Sequence, residues 1–356
     1  MGDTFMPKTK TGFVVKQLQP DDDEVYISFL DELGLKSPSV TGYHYPFYRQ
    51  MLVQLGLGEP FYLALVEDGQ YLAVLPGFVK CSSAGTVYNS LPFFGPNAGV
   101  LYRPDCDIRK AHELLIGHVL VTLQKQPNPI SASFYTPFLL TDFDQYAACI
   151  PNSIVVEKNT LFLELNDTPW DKKIEYDLRR ANQMGVTIDE TIHEKNIQDF
   201  YRIYTQNCLD YGIPVKPEAC VRFLLTEGMQ KKQVYASFAF HEGRIIGGLV
   251  MVLGPKTAEY YIPCTVHDKR NLQPSTLLIA EAIKKLRTRG IRIWNWEASP
   301  RERPNVHQFK KKWGSVDLPY KIFIKRFSSE EELRRMGPAK IASEFPFYFV
   351  YPFDRL

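Results

Sequence analysis

Glu297, Tyr260 and Tyr261 are the residues of this chain best suited to move a proton. Glu297 follows Trp294 and Trp296 at the end of an apolar run, IRIWNWEAS. A carboxylate flanked by aromatic rings loses hydration, its pKa rises, and it can accept a proton from an amine. The alternative is a plain ion pair with Arg301 or Arg303. Tyr260 and Tyr261 end the apolar run before it. A phenol there can protonate a leaving group, and strand alternation sends only one of the two toward a cleft. The alternative is a half-buried aromatic. His267, alone in a loop, reads as an exposed histidine rather than a catalyst.

Two basic groups could hold an anion. Lys310, Lys311 and Lys312 precede Trp313-Gly314, and Arg179-Arg180 lie in a helical, basic stretch. Three consecutive lysines cannot all face one way on a helix, so at most two share a phosphate or a nucleic-acid backbone. A bidentate arginine suits phosphate better than lysine does. Solvated helix faces are the competing reading for both groups. The six cysteines are scattered without a close pair. That spacing suits neither zinc nor a small disulfide framework, so no metal is expected and free thiols in a reducing compartment are.

The elements that must carry these residues come in two copies. EPFYLALVEDGQYLAVLPGFV and QVYASFAFHEGRIIGGLVMVL are each an alternating run, an acidic-Gly turn and a second apolar run. Asp68-Gly69 and Glu242-Gly243 supply residues that tolerate positive φ in a tight hairpin. A helical stretch precedes each copy: residues 43–55 in the first half, 197–209 and 218–228 in the second. An apolar strand, a long amphipathic helix and another strand follow: 86–91, 108–124 and 130–136 in the first half, 258–263, 274–289 and 291–297 in the second. The helix that opens at Pro274 is the clearest, with Leu277, Leu278, Ala282 and Leu286 on one face and Lys284, Lys285, Arg287 and Arg289 before Gly290. Its basic end reads as a solvated face that complements the helix dipole, with a phosphate-facing role as the alternative. The expected fold class is therefore α/β with a mixed sheet, repeated once. The domains are expected at 1–160 and 161–328, with an aromatic-rich tail at 329–356.

Length fits two domains: 356 residues exceed one comfortable core. A formal net charge of +2 argues against a dedicated nucleic-acid binder while leaving room for a local basic patch. The start lacks the apolar core of a signal peptide, and no run is long and apolar enough to span a membrane, so a cytoplasmic protein is expected.

The order of elements resembles the GNAT acyltransferase fold, and its duplication resembles the Fem family within that superfamily. NDTPWDKKIEYDLRRANQMGVTIDE, LQPSTLLIAEAIKKLRTRGIRIWNWEAS and FKKKWGSVDLPYKIFI carry the likeness in the second half; YHYPFYRQM and SLPFFGPNAG carry it in the first. The likeness covers roughly residues 10–326. It implies two tandem GNAT-like domains and transfer of an acyl or aminoacyl group to an amine, without a covalent intermediate. The donor is then acyl-CoA or aminoacyl-tRNA, with no tightly bound cofactor. The acceptor is a small-molecule or peptide amine, and tRNA is a possible partner. Peptidoglycan as acceptor is suggested by the family alone.

In that fold a glycine-bearing turn before a helix holds the donor's pyrophosphate on backbone N–H groups. The matching stretch here is Arg270-Asn271-Leu272-Gln273-Pro274-Ser275. Arg270 fits the pattern, but Gln273 and Ser275 replace the small residues and Pro274 removes an N–H. On the sequence alone this is a poor phosphate cradle. Cofactor contacts are accordingly expected from Arg270, Gln273, Ser275, Lys310, Lys311, Arg179 and Arg180. In the first half Asp105 and Asp107 stand where a phosphate would sit and disfavour a donor. A non-catalytic GNAT-fold protein that binds a ligand or RNA is the rival expectation.

Overall fold

The computed structural model describes residues 12–93, 97–165, 170–299 and 304–355. The chain forms two compact units that interleave in sequence. One holds Met1–Leu33, Leu57–Val156 and Lys321–Leu356; the other holds Gly34–Gly56 and Glu157–Tyr320. The sequence reading instead cuts the chain near 160 and sets the tail apart. Two segments depart from that simple division. Residues 34–56 join the second unit, where Gly34 lies against Pro255 and Gly42 against Val252 so closely that a Cβ would clash. The tail joins the first unit, where Leu333, Ile341, Phe345 and Val350 share a core with Val87 and Ile130.

In the first unit the Leu63–Glu67 and Gln70–Leu75 strands form the expected hairpin. Its turn residues, Asp68 and Gly69, have φ of 49° and 78°. Positive φ at both positions is what a right-twisted hairpin asks of a two-residue loop. The Ile108–Gln124 helix buries Ala111, Leu115, Ile116, Val119 and Leu123, one helical face, against this hairpin's core. A parallel pair, Gly85–Asn89 beside Pro129–Tyr135, carries the unit's second sheet.

The second unit repeats the plan. Its hairpin joins Val234–His241 to Arg244–Leu253 through Glu242 and Gly243, at φ 50° and 71°. The Thr257–Thr265 strand adds antiparallel to it, and the Ile293–Ala298 strand then runs parallel to Thr257–Thr265. The Pro274–Thr288 helix crosses between these two strands. It buries Leu277, Leu278, Ala282, Ile283 and Leu286 with Trp294, Trp296 and Trp313. Each such aliphatic side chain contributes about 1.5–3 kcal/mol when fully buried. On the other face Phe200, from the Glu194–Tyr211 helix, packs on Gly248, and the Gly42–His44 turn packs on Val252. Trp294 and Trp296 face the Pro274–Thr288 helix, so alternation turns Asn295 toward the opposite side. Among the described residues no helix is long and apolar enough to cross a membrane.

Candidate functional site

The parallel pairing of the second unit is short. Thr257, Ala258 and Glu259 pair with Ile293, Trp294 and Asn295, and both strands run on beyond that ladder. Each strand is also irregular there. The register of Thr257–Thr265 against its hairpin neighbour slips at Tyr261. The Ile293–Ala298 strand slips against Ile154–Glu164 between Asn295 and Ala298. Bulges re-aim side chains and end pairing, and here they free Tyr261 and Glu297.

Glu297 itself has φ of 60°. A left-handed backbone is uncommon for a side-chain-bearing residue and persists only where surrounding contacts enforce it. Those contacts are present. The Glu297 N–H donates to Asn295 Oδ1 at 3.0 Å, and its carbonyl accepts from Ser299 Oγ at 2.8 Å. Thr160 Oγ1 also lies 2.8 Å from that carbonyl. The side chain remains partly exposed. Its Oε1 accepts a 2.6 Å hydrogen bond from the Tyr43 hydroxyl, a residue 254 positions earlier.

Three tyrosines cluster beside Glu297, Tyr43 and Tyr48 buried and Tyr261 partly exposed. Tyr43 packs on Tyr48 and Tyr261, with ring centroids 4.9 and 5.7 Å away, and the Tyr48 and Tyr261 hydroxyls are 3.1 Å apart. Lys216 Nζ lies 4.7 Å from the Tyr261 ring centre. Beneath them, Glu259 is fully buried. Its Oε2 accepts from Asn295 Nδ2 at 2.7 Å, and its Oε1 has no partner among the described residues.

This arrangement fixes the protonation of the site. Burial raises the Glu297 carboxyl above its ordinary range, while the Tyr43 hydrogen bond and the charges of Lys216 and Lys310 pull it back. Burial and the neighbouring Glu297 push Glu259 up to about 8, so it holds its proton at neutral pH. The pair therefore divides its roles, with Glu297 the carboxyl nearer solvent and nearer its cations. Burial lifts Tyr43 and Tyr261 well above the usual phenol range, so both stay protonated donors.

The sequence-predicted residues separate in space. Tyr261 faces the Glu297 cluster; Tyr260 turns the other way, its ring 5.7 and 5.0 Å from those of Trp294 and Trp296, and packs on the core. Lys310 is not a surface cation. It is 6% exposed, and its ammonium donates to the Trp296 carbonyl at 2.8 Å and Ser299 Oγ at 2.7 Å. Burial lowers it to about 8, with Glu297 opposing the shift. Lys310 thus braces the strand end that carries Glu297. Lys311 is exposed and pairs with Asp317 at 3.1 Å. It borders, with Lys312, Trp170 and Trp313, a cavity of about 550 Å³ whose walls do not include Glu297. Arg179 is exposed on the Lys172–Gln183 helix, and the neighbouring Arg180 is partly so. That helix packs on Pro274–Thr288, on the face away from Glu297. His267 is exposed beside Asp268. Arg301 and Arg303, the alternative partners of Glu297, lie outside the described residues.

The turn before Pro274 is built differently from the expected cradle. Gln273 takes the left-handed conformation, φ 59°, where a small residue is usual. Its side chain does not cap the helix. The N–H groups of Ser275 and Thr276 have no acceptor among the described residues, as the first turn of a helix leaves them. Ser275 Oγ is 2.6 Å from Thr265 Oγ1, and the Arg270 guanidinium lies over the Tyr211 ring at 5.6 Å.

Tyr43, Tyr48, Glu259, Asn295 and Lys216 were missed in sequence. Tyr43 and Tyr48 sit inside the YHYPFYRQM string, which was singled out only as family-like. No local pattern links them to a glutamate in the other half.

Residues 171–296 match the family model of the acetyltransferase (GNAT) domain. No curated protein matches the chain. Among solved structures, FemX superposes with a TM-score of 0.67 at 9% identity, over 86% of this chain and 96% of FemX. A tandem GNAT protein from the clavulanic acid biosynthesis pathway gives 0.55 at 12%, over 90% and 100%. The C-terminal domain of a protein described as a lysylphosphatidylglycerol synthetase of Agrobacterium fabrum gives 0.55 at 12%, over 90% and 96%. At such identities the likeness speaks for the fold. The fold is that of tandem GNAT proteins, mixed α/β and repeated.

Proposed function

From a chain that carries an acetyltransferase (GNAT) domain within a tandem GNAT fold, we propose an N-acyltransferase or aminoacyltransferase whose general base is Glu297. The observation that carries the reading is the carboxylate itself: partly exposed, held in a left-handed backbone at the open end of a strand pair, and tied to Tyr43. An amine entering beside the tyrosines attacks the donor's carbonyl carbon, forming the new C–N bond. Glu297 takes the proton the nitrogen sheds. The C–S or C–O bond to the leaving group then breaks, and Tyr261, which keeps its proton, donates a hydrogen bond to that group.

The donor's phosphate is read onto the N-terminus of the Pro274–Thr288 helix, at the Ser275 and Thr276 N–H groups with Arg270 nearby. Both donors remain in the proposal. Acyl-CoA is the donor that the GNAT domain suggests; aminoacyl-tRNA is the one that the Fem-like resemblance of the sequence implies. Gln273 and Pro274, in place of the usual small residues, support the second reading, a ligand-binding protein of this fold without turnover.

Thermal-shift titration with acetyl-CoA, longer acyl-CoAs and tRNA separates these, because a ligand that binds the native state raises its melting temperature. A shift with a CoA species supports acyl-CoA transfer, and a shift with tRNA alone supports aminoacyl transfer. Silence from every donor transfers the weight to the non-catalytic reading.

A further inference from the structure

The left-handed backbone of Glu297, at φ 60°, needs a group that imposes it, and that group stands two residues earlier. Asn295 Oδ1 accepts the Glu297 N–H at 3.0 Å, a contact in which a side chain takes the part of a backbone turn. It falls where the strand slips out of register with Ile154–Glu164, so the side-chain amide takes over from the ladder in holding this peptide.

The Asn295 amide has one orientation open to it. The residue is 1% exposed, so its partners come from the protein. Oδ1 also accepts from Thr160 Oγ1 at 2.9 Å, while Nδ2 donates to Glu259 Oε2 at 2.7 Å and lies 3.5 Å from Glu297 Oε1. A flipped amide would set its NH₂ against the Glu297 N–H, donor against donor, and release that residue. Glu259 holds the amide the other way. It pairs with Asn295 in the last rung of the parallel ladder and is fully buried. A carboxyl is costly to bury without a polar partner, and Asn295 Nδ2 is such a partner.

We propose that Asn295 is a positioning residue for Glu297, oriented by the buried carboxyl of Glu259. It holds the Glu297 backbone left-handed and so keeps that side chain against the Tyr43 hydroxyl. The inference rests on Glu297 being the general base proposed above and adds the two residues that aim it. Its consequence can be read on Glu297 itself. Burial raises that carboxyl, against the pull of Tyr43 from the Gly42–His44 turn, of Lys216 from the chain before the Glu218–Phe223 helix and of Lys310 from the Pro304–Lys311 helix. Glu259, on the neighbouring strand, is the remaining carboxyl of the cluster. A Glu297 set free by loss of Asn295 turns to solvent, and its pKa falls toward the ordinary glutamate value.

The test needs no substrate: a carbon-13 NMR titration of the Glu297 carboxyl in the full chain, its signal assigned through Glu297→Gln. In Asn295→Ala the midpoint is expected to fall from the raised value of the parent, and a crystal structure of the variant to show Glu297 at negative φ. Glu259→Met, which cannot accept from Nδ2, is expected to shift the midpoint the same way. Glu259→Gln still accepts and is expected to keep it. A role for Asn295 in stability alone would lower the melting temperature and leave the midpoint in place. An unmoved midpoint and φ in Asn295→Ala overturns the proposal. If that variant does not fold, the two Glu259 variants decide, and equal midpoints in both overturn it. The general-base reading fails separately, through turnover that Glu297→Gln leaves unchanged.

Discussion

Two parallel strand pairs among the described residues begin alike and end differently. In the first unit the last paired residues are Asn89 and Ser133; in the second they are Glu259 and Asn295. Beyond Asn89 the first pair stays closed. Ser90 N–H donates to the Ser133 carbonyl at 3.0 Å, and the Tyr135 N–H donates to Ser90 Oγ at 2.7 Å. The tail then covers this end. Asn89 donates to the Phe349 carbonyl at 3.0 Å and accepts from its N–H at 2.8 Å, while Ser133 and Ser131 donate to Phe349 and Val350. In the second unit a glutamate with left-handed backbone, a buried carboxyl and Tyr261 occupy the same position. The helices differ in the same sense. Asp107 caps the Ile108–Gln124 helix by accepting from Lys110 N–H, whereas Gln273 leaves the Pro274–Thr288 helix uncapped. The strand end of the first unit is tied up by its own polar groups, whereas in the second Glu259 Oε1 and the Ser275 and Thr276 N–H groups have no partner among the described residues.

The sharpest way to break this comparison is Glu297→Gln. Loss of a general base lowers turnover by about 10²- to 10⁴-fold with little change in donor binding; steady-state kinetics with the donor found by thermal shift measures it. In the parent protein the rate should fall as pH drops through the raised pKa of Glu297, because the base works only without its proton. A full-rate mutant removes the working copy from the comparison.

Glu259→Gln tests the buried carboxyl. In the unfolded chain this group ionises at the ordinary glutamate value of 4.5; in the folded chain it keeps its proton to about 8. Between those values the folded state binds more protons than the unfolded one, so stability falls as pH rises, with a slope of up to about 1.4 kcal/mol per pH unit from one such group. Glutamine, which mimics the protonated acid, should flatten that loss. Urea unfolding across this window decides, and an unaltered slope would mean that Glu259 is ionised.

Asn89→Ala probes the closed end of the first unit. It strips the Phe349 N–H and carbonyl of a shared partner, and a smaller loss of about 1–3 kcal/mol is expected, seen in chemical denaturation. The smallest effects should be equal ones. Gly69→Ala and Gly243→Ala each put a Cβ on a positive-φ turn residue with open space around it, so each should destabilise by about 1 kcal/mol. A marked inequality in melting temperature would mean that the two hairpins are less alike than their turns.

Much of the fold was legible because it is local. The two Asp-Gly and Glu-Gly turns, the helix opened by Pro274 and the 108–124 helix announce themselves in stretches of under twenty residues, where period and turn chemistry act directly. The place of Glu297 at a strand end was legible too, from the apolar run with two tryptophans before it. Which of Tyr260 and Tyr261 faces it was not, since the bulge at Tyr261 leaves no mark in a run of apolar residues. Lys310 read as a solvated or phosphate-facing cation, and its burial against the Trp296 carbonyl depends on how its helix meets that strand end.

By itself, then, the sequence determined the repeat and the mixed α/β class, since these follow from side-chain period and from turn chemistry along the chain. Only the tertiary structure decided that Tyr43 bonds Glu297, that Lys216 lies over the Tyr261 ring, and that the tail covers the strand pair of the first unit. Those are contacts between residues far apart in the chain, and they exist only once burial of apolar surface has brought the segments together.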